Sequence, residues 1–167
     1  MTTISIISAL ILGLFIIMGV CKFGLLKSYS AYAKMWNASV PIHNANLWSI
    51  VTIVAALMII PAMIDLGQDN PFQVLGFATP IYLIIVGLTP EWEDKERQHV
   101  VHTVAAIVCA CFAIFWMVAV AHSMIPLLVS TFLAITAAGA TKRYDAYIFW
   151  GEMICFMATY LTLIIGL

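Results

Sequence analysis

Six long apolar stretches, broken by short polar segments, restrict this chain more than any other feature. They are Thr2–Cys21, Leu47–Ile64, Phe72–Thr89, Val100–Ala121, Met124–Ala140 and Ala146–Leu167. A helix that crosses the hydrocarbon of a bilayer takes about 20 apolar residues, within a range of roughly 17 to 25. In lipid, each backbone N–H and C=O must be satisfied within the protein, so only helices and closed barrels cross. The runs here are continuous rather than alternating, which selects helices. Charged residues make up 9% of the chain, against about 25% in soluble domains, too few to cover a water-facing surface. The expected fold is all-α: a polytopic integral membrane protein, with residues 1–167 forming one transmembrane domain, a bundle of six transmembrane helices. Thr2–Cys21 has no basic segment ahead of it and no small-residue cleavage pattern after it, so it is expected to remain as the first span.

The seven Lys and Arg residues fix the threading. Lys22, Lys27 and Lys34 follow span one, Lys95 and Arg97 follow span three, and Lys142 and Arg143 follow span five. The second and fourth connections have none. A six-span chain therefore gathers every basic side chain at one face, and the positive-inside bias places that face in the cytoplasm. The expected location is the cell (inner) membrane, with both termini outside and loops one, three and five cytoplasmic. Pro61, Pro80 and Pro126 lie in or near spans and are expected to mark kinks. The net charge of −1, with no basic stripe, excludes a nucleic-acid partner. The four cysteines include no CxxC pair and read as reduced, buried hydrophobes.

Loop one is patterned. Leu25, Tyr29, Tyr32 and Trp36 recur at helical spacing, and Lys27, Ser30 and Lys34 fall on another face. The pattern predicts an interfacial amphipathic helix after span one, with its rings at headgroup depth. Span four carries Ala106, Ala110 and Ala113, and span five Ser130, Ala134 and Ala138. Small residues at this spacing let membrane helices pack closely, within one chain or between copies.

Few ionisable groups lie inside the spans, and such groups are costly unless paired or used. Glu152 falls about 10 Å into span six at 1.5 Å per residue. His99 and His102 enter span four on one helix face, and Asp145, Phe149, Glu152, Phe156 and Thr159 share a face of span six. The threading puts Glu152, His102, His99 and Asp145 in one leaflet, as the candidate ligand- or ion-binding site. Three readings are open: a structural Glu–His hydrogen bond, a lined cavity for a ligand, ion or proton, and a metal site. The first two need no cofactor. The third takes His99, His102 and Glu152 as ligands for zinc, a two-histidine, one-carboxylate set with water in the fourth position. An outer cluster of Asp65 and His122, with Gln68, Asp69 and Gln73 nearby, reads as solvated helix ends or the mouth of a path.

Certain short motifs carry a resemblance. They are Ser28-Tyr29-Ser30, Pro61, Gly87 with Pro90, His99 and His102 with Ala105 and Ala106, Trp116, and Phe149-Trp150 with Glu152. In these the chain resembles a group of small six-span bacterial membrane proteins with no assigned activity. More distantly it is similar to the ceramidase and progestin-receptor-type superfamily of membrane hydrolases. That superfamily has seven spans and an HxxxH pair in the last, where this chain has HxxH in the fourth of six.

The expected function is a membrane-embedded binding, transport or channel-like component, with its polar site in the cytoplasmic half between spans four and six. Six short helices leave little room for a pore in one protomer, which points to a homo-oligomer in the lipid bilayer. One alternative is a metal-dependent membrane hydrolase. The other is a membrane-anchored interaction protein that docks a cytoplasmic partner on the charged strip Glu91–Arg97.

Overall fold

The computed structural model describes residues 2–40, 46–90, 95–120 and 122–166. Among these it is all-helical, without strands. The helices are α1 (Thr2–Phe23), α2 (Tyr32–Ser39), α3 (Leu47–Leu66), α4 (Val74–Gly87), α5 (Glu96–Ala119), α6 (Ile125–Thr141) and α7 (Tyr147–Ile165). A 3-10 turn, Tyr144–Ala146, leads into α7. Four segments are long and apolar enough to cross a membrane: α1, α3, α5, and α7 with its 3-10 turn. Of the remaining helices at expected spans, α4 has 14 residues and α6 has 17. At 1.5 Å per residue these cover about 21 and 26 Å, short of a hydrocarbon core about 30 Å thick.

Local chemistry sets the ends. Gly24 takes φ +76 and closes α1, its N–H donating to the Val20 carbonyl. Asn46 caps α3, its side-chain oxygen accepting the Trp48 N–H at 2.9 Å. Lys142, in the left-handed region, ends α6 with paired bonds from Lys142 N to Gly139 O and from Arg143 N to Ala138 O. That is the two-bond arrangement that satisfies the last carbonyls of a helix. Where a span was expected to open at Phe72, the chain instead turns tightly. Asn70 Oδ1 accepts the Phe72 N–H, and Asn70 Nδ2 reaches across to the Ala119 carbonyl of α5. At the other edge, α5 begins at Glu96, four residues before the expected span, and so carries Arg97 and His99 in its first turn.

The packing is a ring of five helices. In order, α1, α3, α4, α5 and α7 each touch the next, and α7 returns to α1. α6 lies along α7, and its Ser130, Ala134 and Ala138 are buried, the small face expected for close packing. Close approach also sets α4 on α3: a Cβ on Gly76 would sit 2.8 Å from the Met63 carbonyl oxygen. Inside the ring, Tyr160 Oη donates to Ser8 Oγ at 2.7 Å, and Ser8 donates to the Ala55 carbonyl at 3.0 Å. Outward-facing residues are large and apolar, among them Leu10, Leu57, Ile107, Phe132 and Ile135. An apolar outer surface of this kind suits lipid and not water.

Loop one differs from the expected interfacial helix. α2 spans only eight residues, and Tyr29, Tyr32, Ala33 and Trp36 are buried in the protein. Trp36 stacks on Phe15 at 4.9 Å and meets Phe23 edge-on at 5.2 Å. Tyr29 packs against Trp48 and Phe156. Of the expected helical repeat Leu25, Tyr29, Tyr32 and Trp36, only Tyr32 and Trp36 lie in α2; Leu25 and Tyr29 precede it in non-helical chain.

Candidate functional site

The site is built where loop one closes over one end of the ring. Tyr32 Oη donates to the Gly24 carbonyl at 2.7 Å and accepts the Leu26 N–H, which pins the bend after α1. Ser28 Oγ accepts the Ala31 N–H and shapes the following turn. The Phe149 N–H of α7 donates to the Lys27 carbonyl at 2.9 Å, so loop one satisfies one of the free donors at the start of that helix. This seating aims the backbone of residues 29 and 30 at α7, one turn beyond Phe149.

There the Glu152 carboxyl receives two contacts. Oε2 accepts the Tyr29 N–H at 2.6 Å, and Oε1 lies 3.3 Å from Ser30 Oγ. Ser30 Oγ is in turn 2.8 Å from His102 Nε2, and His102 Nδ1 is 2.9 Å from Thr89 Oγ1. Thr89 Oγ1 lies within reach of the Val86 and Ile85 carbonyls at the end of α4. A continuous hydrogen-bonded chain therefore runs Glu152, Ser30, His102, Thr89 across α7, loop one, α5 and the end of α4. His102 is 4% exposed, so both ring nitrogens work in a dry environment. Beside this chain, Tyr29 Oη donates to Thr52 Oγ1 at 3.0 Å, while Thr52 donates to the Trp48 carbonyl. Burial pushes the Tyr29 phenol well above its ordinary value and raises that of Tyr32, so both remain proton donors.

Against Glu152 lies a cavity of about 120 Å³. It sits between α5 and α7, with α3 and α4 behind it. Its wall is apolar apart from Glu152 and a few hydroxyl and thiol groups, and includes Tyr29, Phe156 and the small residues Ala106, Ala110, Ala113 and Gly151. The alanine stripe on α5, expected to pack on a helix, here borders open space. A Cβ on Gly151 would meet nothing within 4 Å, and Gly151 is exposed, which places the mouth on the flank of the bundle between α5 and α7.

No family model, curated protein or solved structure matches this chain. The placement of each candidate residue therefore rests on the geometry alone. Glu152 and His102 are brought together, but through Ser30 rather than directly. His99 is exposed, three residues nearer the start of α5. Asp145 departs from the expected grouping. It is exposed and paired with Arg143 through bonds of 2.9 and 3.2 Å, so its carboxyl is spent on loop five rather than turned to Glu152.

For the zinc alternative, His99 with His102 and Glu152, Ser30 stands between Glu152 and His102, and a hydroxyl lies at each nitrogen of His102. Among the described residues, no three His, Cys, Asp or Glu side chains group as metal ligands. At the other end, Asp65 Oδ1 accepts from Gln68 Nε2 at 3.2 Å. His122 is exposed at φ +51, and among the described residues no hydrogen bond joins it to Asp65. In the charged strip Glu91–Arg97, residues 91–94 lie outside the described residues.

Ser30, Thr89 and Thr79 were not singled out by sequence. Ser30 was placed on the basic face of a surface helix, and the hydroxyls of Thr89 and Thr79 look like ordinary span residues. Ser30 stood in the Ser28-Tyr29-Ser30 motif and Thr89 beside Pro90, in each case without a role.

Proposed function

We propose that this protein is a membrane-embedded binding and transport component that exchanges a proton at Glu152. It threads the bilayer six times, α4 and α6 included, with the Lys- and Arg-bearing turns in the cytoplasm. The observation that carries this reading is the chain Glu152–Ser30–His102, with a cavity on one side of the carboxyl and His99 beyond the imidazole.

The chain holds one shared proton in two arrangements of the same heavy atoms. In the first, a protonated Glu152 donates to Ser30 Oγ, Ser30 donates to His102 Nε2, and His102 Nδ1–H donates to Thr89. In the second, Ser30 donates to an ionised Glu152 and His102 Nε2–H donates to Ser30, while Nδ1–H is unchanged. Passing between them shifts two hydrogens along existing contacts and leaves an imidazolium and a carboxylate linked by a hydroxyl. The 3.3 Å step between Ser30 and Glu152 must close by about half an ångström to reach an ordinary O–H···O length. Both arrangements keep every donor paired, which a buried ionisable group in a membrane requires. His99, one turn nearer the start of α5, is the next proton acceptor towards water.

The test is proton flux into proteoliposomes under an imposed gradient, followed with an internal pH dye. Glu152→Gln is expected to reduce the flux at least tenfold, and Ser30→Ala to slow it. Flux unchanged in Glu152→Gln would remove this function.

A further inference from the structure

We propose that the cavity between α5 and α7 is a binding site for a lipophilic primary ammonium of about one aromatic ring, which enters from the lipid side. The inference rests on the proton exchange at Glu152 proposed above and names the molecule exchanged for the proton.

Three observations carry it. The first is charge complementarity. Glu152 is the one carboxylate in a wall that is otherwise apolar apart from hydroxyl and thiol groups, and its two contacts leave acceptor positions of the carboxylate unused. The rings of Tyr29 and Phe156 stand in the same wall, 5.5 Å apart and edge to face. An apolar chamber with one carboxylate and aromatic faces suits an organic cation, by ion pairing and by cation–π attraction.

The second observation is an orphan hydroxyl. Thr79 lines the cavity and is 3% exposed, yet its Oγ1 has no hydrogen-bond partner. An unpaired buried polar group costs about 1–3 kcal/mol. Thr79 Oγ1 is closed off from the open space of the cavity, so a turn of the Thr79 side chain is needed before a ligand N–H can donate to it and remove that cost. This feature selects a primary ammonium, which has several donors, over a quaternary one, which has none.

The third is size and access. Apolar cavities of roughly 150 Å³ accept a benzene-sized molecule; this one holds about 120 Å³, so part of a one-ring ammonium projects through the mouth at Gly151 on the flank of the bundle. A wall of Ala106, Ala110, Ala113 and Gly151 keeps that space open.

The exchange balances in charge. Protonated Glu152 gives its proton to Ser30 as Ser30 gives one to His102; the carboxylate then pairs with the incoming ammonium, and the proton on His102 leaves towards His99. One cation enters and one proton is released. The titratable groups that share the cavity wall with Glu152 are Tyr29 from loop one, Cys109 from α5, and Cys155 and Tyr160 from α7, and His102 reaches it through Ser30. The α3 and α4 members of the wall are not titratable.

The experiment is calorimetric titration of the purified full chain in nanodiscs with 2-phenylethylammonium. Its neutral analogue 2-phenylethanol is the control, and two buffers of different ionisation enthalpy count protons. Saturable binding of the ammonium alone, with about one proton released per molecule, is expected. Glu152→Gln is expected to abolish it. Thr79→Val, which removes only the orphan hydroxyl, is expected to weaken binding about tenfold while leaving the melting temperature of the empty protein unchanged or higher. Equal binding of the alcohol, no saturable binding of either probe, or unchanged affinity in Thr79→Val would overturn the proposal. If proton flux still depends on Glu152 in that event, this inference fails while the proton-exchange reading stands.

Discussion

Ser30 decides more at the scale of single residues than its position in the sequence suggests. One hydroxyl serves both Glu152 and His102. Ser30→Ala leaves an imidazole nitrogen and a carboxyl oxygen facing each other across a gap, and is expected to cost about 1–3 kcal/mol, read as a fall in melting temperature in detergent. Ser30→Thr keeps the hydroxyl and should retain proton flux if the added methyl is accommodated. Tyr29 gives a second prediction, in pH. Its phenol ionises at an ordinary value of 10.0 when exposed, and burial raises that value in the fold. The stability that the neutral phenol contributes is therefore complete below about pH 10 and is lost as pH rises above it, because only the unfolded chain then ionises. A melting-temperature series from neutral to alkaline pH should fall more steeply in the wild type than in Tyr29→Phe. Parallel curves would contradict the buried donor.

Elements were legible from periodicity wherever a long apolar run met no competing turn. α1 and α3 and the body of α5 and α7 follow from hydropathy alone. The ends of α4 were not, because Phe72 is apolar but the Asn70 side chain captures its N–H in a turn. Hydropathy does not register such a bond. Loop one was misread for a related reason: an amphipathic repeat gives the face of a helix but not what covers it. Asn46 links the two regions, since its side chain caps α3 and its Nδ2 donates to the Ala33 carbonyl of α2 at 2.6 Å. Asn46→Ala is expected to destabilise by about 1–2 kcal/mol and to loosen α2, visible as faster amide exchange around Ala33. On α4, Gly76→Val forces a Cβ into the 2.8 Å approach to the Met63 carbonyl. A loss of about 1–3 kcal/mol is expected from overpacking, with a lower melting temperature as the readout.

For the whole molecule, the ring of five helices with α6 along α7 joins residues distant in sequence at a single site. Glu152 and His102 were legible because ionisable groups stand out in apolar spans. Their link was not, since it runs through a serine more than seventy residues from His102 and more than a hundred from Glu152. In the proposed six-span threading the basic turns gather at one face, and the site's depth follows from that proposal. In a cysteine-free background, Lys34→Cys and Lys142→Cys are expected to react with impermeant maleimide from the same face and Asp69→Cys from the other. Labelling of residues 34 and 142 from opposite faces would break the topology on which the site depends. The proton at Glu152 is tested most directly by infrared difference spectroscopy of the protein in lipid as pH is stepped. A carboxylic C=O band that gains and loses intensity with pH, vanishes in Glu152→Gln and shifts in Ser30→Ala is the expected result. Identical difference spectra for wild type and Glu152→Gln would contradict it.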